Sequence, residues 1–297
     1  MDVTWLEDFL AVAETGSFSR ASARCGIAQP ALSRRIQALE RWIGTPLFQR
    51  TSRRVDLTRA GERLRPFATE VLLSLEHARQ DALEAAQGDQ NRIKIASTHT
   101  LAQVFFPAWL MGLEQRVAIG PVQLIADTME GCEQILRRGE AHFLLYHHHS
   151  TTTVRLSGLS VNEVELGEDE IVPISAPDRE GRPLHALEGG SERLQVLSYA
   201  PSSGLGRILA SVSANRRCRQ QVVFTSHLAA ALKAMALEGR GMAWLPKTLV
   251  SAELTSGALV PAGSSDREIR VAIKLMRPSG RQSPAAEAMW SLIKLCE

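Results

Sequence analysis

The stretch AQPALSRRIQALE, residues 28–40, keeps a helical rhythm, opens on Gln-Pro after one alanine and carries two adjacent arginines on its outer side. Pro30 falls in the first turn, where its missing N–H is tolerated. At ~100° per residue, Leu32, Ile36, Leu39 and Ile43 point within ~40° of one direction, whereas Pro30, Ser33, Arg34, Gln37 and Arg41 lie ~100–200° from Leu32. One side is built to be buried. The other offers a hydroxyl, an amide and two guanidinium groups, which suit guanine edges, adenine or phosphate. A solvated amphipathic helix carries the same pattern, so the flanking sequence has to decide between water and a partner.

Upstream, Leu6, Phe9, Leu10 and Ala13 form an apolar stripe between Thr4 and Thr15, the period of a helix. Gly16 stops it. Ser17 is placed to cap a second helix, from about Phe18 to Arg24, which Gly26 terminates. Two helices, a short turn and a third helix make a helix-turn-helix. Downstream, GTPLFQRTSRRVDLTRAG (44–61) reads as a turn, a short strand, a basic tip at Arg53-Arg54 and a returning strand 55–57. That is a winged hairpin whose tip reaches phosphate or the minor groove. A long helix then starts near Thr58, capped by that threonine, and runs to about Gln87, ~45 Å at ~1.5 Å per residue. Its apolar positions Leu64, Phe67, Val71, Leu72, Leu75, Ala78, Ala82 and Leu83 exceed what so small a domain can cover, and a second copy is the economical partner.

Charge points the same way. The whole chain carries +2, but residues 1–65 hold eleven arginines against seven acids, a net +4, and the remainder holds 23 basic and 25 acidic residues, a net −2. Concentrated positive charge at one end fits a polyanionic partner. The 297 residues imply two or three domains. No apolar run approaches the ~20 residues a membrane span needs, and the N-terminus carries no secretory core. A cytoplasmic address without a membrane partner is expected. Cys25, Cys132, Cys218 and Cys296 lie far apart with no C-x-x-C pair, which argues against structural zinc and fits a reducing compartment.

Residues 1–65 resemble the winged helix-turn-helix of LysR-type transcriptional regulators. The resemblance is carried by FLAVAETGSFSRASARCGIAQPALSRRIQALERWIGTPLFQRTSRRVDLTRAGERL, in which Phe18, Ala21, the run Gln29-Pro30-Ala31-Leu32-Ser33, Ile36, Leu39-Glu40, Gly44, Leu47-Phe48, Arg50, Leu57-Thr58 and Gly61 fall in the family's pattern. One departure is local. Ala28 stands where Ser or Thr is usual, and a lost cap costs ~1 kcal/mol of helix stability. The resemblance implies that the polar face presses into the major groove of promoter DNA. It gives Ser17, Gln29, Pro30, Ser33, Arg34 and Gln37 as DNA-contacting positions, with Arg50, Arg53 and Arg54 on phosphate. Arg50 has a competing reading as a brace for the hairpin.

Beyond a hinge at 88–92, strands and helices alternate: 93–96, 122–126, 142–149, then 194–200, 221–225 and 241–246, with helices between and a closing helix from about Ser283 to Leu295. Alternation implies parallel sheets. Crossings near 163–173 and 262–275 divide the segment 93–297 into lobe I (93–163 and 273–297) and lobe II (164–272). The expected architecture is therefore a winged helix-turn-helix (1–65), a linker helix (58–87) and a two-lobed α/β domain. The last resembles the effector-binding domain of the same family, built like a periplasmic binding protein. IKIASTH, ALEGRGMAWLP and the histidine-bearing strand also resemble the hypochlorite-responsive HypT subgroup, which brings oxidation into consideration as a signal.

Ligands of doubly wound folds sit beyond the C-terminal strand ends, where helix N-termini point. Those places hold Ser97, Thr98, His99, Thr100, Thr128, His147, Ser202-Ser203, Thr225, Ser226 and His227. Each hydroxyl is equally suited to be a helix cap. For the histidines, solvated strand ends, protonatable anion contacts and a metal site compete, and no neighbouring acid is evident to hold a metal. Cys218, in NRRCRQ, has three arginines beside it that favour its thiolate, so a redox switch competes with an exposed bystander. No nucleophile-base set, phosphate loop or metal motif is visible, so no enzyme, metal or cofactor is expected. The expected function is a homodimeric or homotetrameric regulator of an inverted-repeat promoter, responsive to a small anionic metabolite or an oxidant, with RNA polymerase as a further partner. The rival is a solute-binding protein without DNA regulation, against which the basic wing counts heavily.

Overall fold

The computed structural model describes residues 2–50, 55–86, 92–117, 119–156, 159–187, 194–213 and 220–295. They form two compact units. The first runs from the N-terminus through the long helix and takes in Arg137–Gly139 and Leu156–Ser160; the second holds the rest.

The first unit comprises α1 (Thr4–Thr15), α2 (Phe18–Cys25), α3 (Gln29–Ile43), β1 (Phe48–Arg50), β2 (Val55–Leu57) and α4 (Arg59–Ala86). Leu6, Phe9 and Val12 meet Phe18, Ala21, Leu32, Ile36, Leu39, Leu47 and Phe48 in one core, so the apolar sides of three helices close on each other. Ser17 Oγ accepts the Arg20 N–H at 3.4 Å and starts α2. Ala28 gives α3 no side-chain cap, and Gly44 ends it in the left-handed region at φ 86°, a conformation costly for a residue with a Cβ. Glu40 of α3 accepts the Leu47 and Phe48 N–H groups at 2.8 and 3.2 Å and so fixes the hairpin strand against the helix. The hairpin pairs Phe48 with Leu57 and Arg50 with Val55. Its expected basic tip, Arg53-Arg54, lies outside the described residues. Thr58 Oγ1 accepts the Gly61 N–H at 3.1 Å, the expected cap of the long helix. On α4, Leu64, Ala68 and Leu72 pack on the core, whereas Phe67, Val71, Leu75 and Leu83 remain exposed.

The second unit runs β3 (Ile93–Thr98), α5 (His99–Val104), α6 (Phe106–Glu114), β4 (Val122–Asp127), α7 (Met129–Arg137), β5 (Phe143–His148), β6 (Val161–Ser175), β7 (Leu194–Tyr199), α8 (Gly204–Ser213), β8 (Gln220–Ser226), α9 (Ala229–Leu237), β9 (Met242–Pro246), α10 (Lys247–Ser256), β10 (Val260–Pro261), β11 (Ile269–Pro278) and α11 (Pro284–Lys294). Strands β3, β4 and β5 are parallel, as are β7, β8 and β9. Here the expectation of parallel sheets needs correcting. All strands join one mixed sheet in the order β4-β3-β5-β11-β6-β9-β7-β8, with β10 also on β6. The reason is strand length. At 15 and 10 residues, β6 and β11 each lend one half to either lobe, antiparallel to each other and to β9 and β5 respectively.

Two cores follow. Ile95, Phe143, Leu145, Ile273, Leu275 and Trp290 fill lobe I; Ile171, Leu197, Ile208, Leu232, Leu245 and Val271 fill lobe II. The helix expected from Leu101 begins at His99 and breaks at Phe105 into α5 and α6. Helix α10 and the short β10 escape sequence reading, because neither has a clear apolar period. Among the described residues no helix is long and apolar enough to cross a membrane.

Candidate functional site

On α3 the division computed from the sequence holds. Leu32, Ile36 and Leu39 are buried, while Gln29, Pro30, Arg34, Gln37 and Arg41 are exposed and Ser33 is half-buried. One of the two adjacent arginines does not share that face. Arg35 turns to the buried Asp8 of α1, Nη1 to Oδ2 at 3.3 Å, and braces the helix against its neighbour. Arg34 therefore stands as the more exposed cation of the pair, and the one outside that contact. Ser17 is occupied as the α2 cap. Arg53 and Arg54 lie outside the described residues, and of Arg50 only the backbone pairing belongs to them.

In the second unit the ends of β3, β4 and β5, from lobe I, face the start of α8 and the end of β8, from lobe II. Between them lies a cavity of about 20 Å³, lined by Thr98, His99, Thr100, Asp127, Thr128, Met129, His147, Ser203, Gly204, Leu205 and His227. A space of that size holds about one water-sized occupant. Larger hollows of about 320 and 530 Å³ open beside α6 and α8, and neither gathers the predicted residues.

His99 and His227 face each other across the lobes with ring centroids 5.6 Å apart. Burial first, and His227 second, hold the His99 imidazole below its usual range, against a weaker pull from Asp127. Beneath them His147 Nε2 is buried 3.6 Å from Asp169 Oδ2, beyond hydrogen-bond range. That nitrogen and Thr98 Oγ1 are buried without a hydrogen-bond partner. Asp169 in turn accepts Thr248 Oγ1–H at 2.6 Å and the Glu170 N–H at 2.8 Å. Burial works against its charge, yet His147 and Thr248 outweigh it, and the carboxyl stays below its usual range.

Helices α7 and α8, whose first residues Met129 and Gly204 line the cavity, are tied together. Glu133 of α7 holds Arg207 of α8 at 2.7 Å and also accepts the Arg155 N–H at 2.7 Å. Gly204 lies against Met129, so that an added Cβ would meet the Met129 Cβ at 3.2 Å.

Of the predicted ligand positions, Thr98, His99, Thr100, Thr128, His147, Ser203 and His227 come together. Four do not line the cavity. Ser97 is buried and bonds the Thr98 carbonyl, and Ser226 accepts the Leu228 N–H as a strand-end cap. Thr225 projects from β8 into solvent, and Ser202 stops one residue short of the lining. Thr128 serves both readings, lining the cavity while accepting the Gly131 N–H at 3.1 Å. Sequence reasoning missed Asp127, Met129, Gly204 and Leu205, which adjoin predicted residues, and Asp169, which gives no local signal. Among the described residues no group of three or more His, Cys, Asp or Glu is arranged to hold a metal ion. Cys218 lies outside the described residues. Cys132 is buried and its thiol is pushed up to about 12 by burial first and Asp127 second, and the Cys25 thiol is also raised, by burial and then Asp8.

Comparisons with known proteins follow the same division. Residues 3–62 match the bacterial regulatory helix-turn-helix protein model of the lysR family, and residues 86–295 match the LysR substrate binding domain. The HTH-type transcriptional regulator YjiE of Escherichia coli (strain K12) is 27% identical over 298 residues, 100% of this chain and 95% of that protein. Vibrio fischeri DarR, solved in complex with DNA, superposes with a TM-score of 0.59 at 26% identity over 99% of this chain and 98% of that one. Full-length HypT from Salmonella typhimurium, described as a hypochlorite-specific LysR-type transcriptional regulator, gives 0.59 at 27% identity over 99% and 98%. Its regulatory domain with bromide bound gives 0.58 at 25% identity, covering 69% of this chain and 94% of that one.

Proposed function

The chain belongs to the LysR family of bacterial transcriptional regulators, and on that footing we propose that it reads promoter DNA with one face of α3 and senses a small anion or an oxidant between its lobes. The observation that carries the first half is the exposed Gln29, Pro30, Arg34 and Gln37 opposite the buried Leu32, Ile36 and Leu39. In this assignment Gln29, Pro30, Ser33, Arg34 and Gln37 meet base edges, and Ser17, Arg50, Arg53 and Arg54 meet the backbone. Electrophoretic titration of Arg34→Ala on the chain's own upstream promoter should show a tenfold or greater loss, on the order of 1–3 kcal/mol. Unchanged affinity for both that promoter and random duplex would remove the assigned face.

The exposed Phe67, Val71, Leu75 and Leu83 of α4 support pairing with a second copy. A dimer would set two heads on the half-sites of an inverted repeat, and a tetramer would pair two such dimers. Residues 1–65, 58–87, 88–92 and 93–297 then act as head, linker, hinge and sensor. RNA polymerase is the further partner and the cytoplasm the site of action. A change in cavity occupancy would alter the spacing or bend imposed on the heads.

For the signal, the size of the cavity and its hydroxyls and imidazoles support a small anion rather than a bulky metabolite; a relative's domain holds bromide. The Met129 thioether in the same lining supports the second reading, an oxidant. Promoter binding measured with bromide and, separately, after brief hypochlorite treatment distinguishes the two.

A further inference from the structure

A buried anion needs compensating charge, because taking an unpaired ion out of water is costly. Among the described residues the cavity is given none of the permanent kind: no lysine or arginine lines it, and the Asp127 carboxylate already stands in the wall. The titratable groups that face it are Asp127 from the end of β4, His99 from α5, His147 from β5 and His227 from the end of β8, with Asp169 of β6 behind His147. Arg207 of α8 binds Glu133 through Nη1, and Lys247 and Lys233 bind Glu170 and Glu253. Asp169 carries its own balance of hydrogen bonds from Thr248 and Glu170.

Resting on the small-anion reading above, we propose that a monovalent anion enters this cavity together with a proton, which the His99–His227 pair accepts as its two lobes close on the ligand. The balance is simple. One negative and one positive charge enter, and no bond other than the new imidazole N–H is formed. With no counter-charge beside it, His99 resists protonation, because it is partly buried next to another imidazole. An anion in the cavity beside the rings reverses that preference, since opposite charge favours the charged form. The pair joins lobe I to lobe II, so the proton and the anion fasten the same gap. The regulator then responds to the anion more strongly in acid than at neutral pH.

The test is calorimetric titration of the full-length protein with sodium bromide at pH 5.5, 6.5 and 7.5. Ionic strength is held with gluconate, and each pH is run in two buffers of different ionisation heat. The expected result is uptake of up to one proton per anion and an affinity that rises as much as tenfold for each unit of acidification. His99→Gln and His227→Gln should each flatten that pH dependence. His227 is exposed, so its substitution keeps the test informative should His99→Gln fold poorly. Bromide binding with no proton uptake and one affinity at all three pH values would overturn the proton-coupled site while leaving the small-anion reading intact. No bromide binding at any pH would overturn both.

Discussion

Asp8 and Arg35 meet at 3.3 Å between α1 and α3, with the Asp8 side chain almost fully buried and the Arg35 side chain 40% exposed. The pair ties α3 to the helix behind it. Its two halves are unequal, and so are the expected losses. Arg35→Ala strands a buried charge and should cost about 2–3 kcal/mol. Asp8→Asn leaves a guanidinium that water can reach and should cost less than about 1 kcal/mol. Urea denaturation of the full chain orders the two, and equal losses would mean the contact is incidental.

Glu133 and Arg207 join α7 to α8 with both side chains largely out of water. Arg207 Nε and Nη2 have no other partner, so Glu133→Ala leaves a buried cation with nothing to bind and should cost about 3–5 kcal/mol. Replacing both residues by methionine should recover much of that loss. Thermal unfolding of the single and double variants measures the difference.

Gly131 sits where an added Cβ would overlap the Asp127 carboxylate. Gly131→Ala should push Asp127 off the start of α7 and cost about 1–3 kcal/mol, as overpacking typically does. Gly112, with open space where its Cβ would be, is the matched control, and Gly112→Ala should be neutral or slightly stabilising. A lower melting temperature for both would assign the effect to something other than the carboxylate.

His99 gives a signed pH dependence. Its folded form resists protonation relative to the ordinary value of 6.5, so the unfolded chain binds the proton first. The stabilisation is complete above about pH 6.5 and drains away as the pH falls through the lower folded value. His99→Gln should be relatively more stable in acid than at pH 7.5, compared with the parent at the same pH. Denaturation midpoints at the two pH values check the sign.

What the sequence disclosed and what it withheld divide along one physical line. The face of α3 was legible because a 3.6-residue period fixes directions locally, and the Ser17 and Thr58 caps because they act three residues away. The positions lining the cavity at the strand ends were half legible, since the fold class says where strand ends point. Arg35 was misplaced on the outer face because its partner lies 27 residues upstream, on another helix. Asp169 was invisible for a stronger reason. It reaches His147 only because β11 lies between β5 and β6 in a register that pairs Ile273 with both His147 and Gly167. Register across a sheet is a tertiary outcome, and no local period encodes it.

The uninterrupted sheet has a mechanical consequence. Lobes joined by loops can swing apart as on a door hinge, but here β6 and β11 are hydrogen-bonded into the ladder on either side of the junction. Wide opening would have to break ladder bonds, whereas torsion of two strands keeps them. The two-lobed domain is thus stiff against gaping and compliant to twist, and its two lobes can change their relation by a small rotation more readily than by a large displacement.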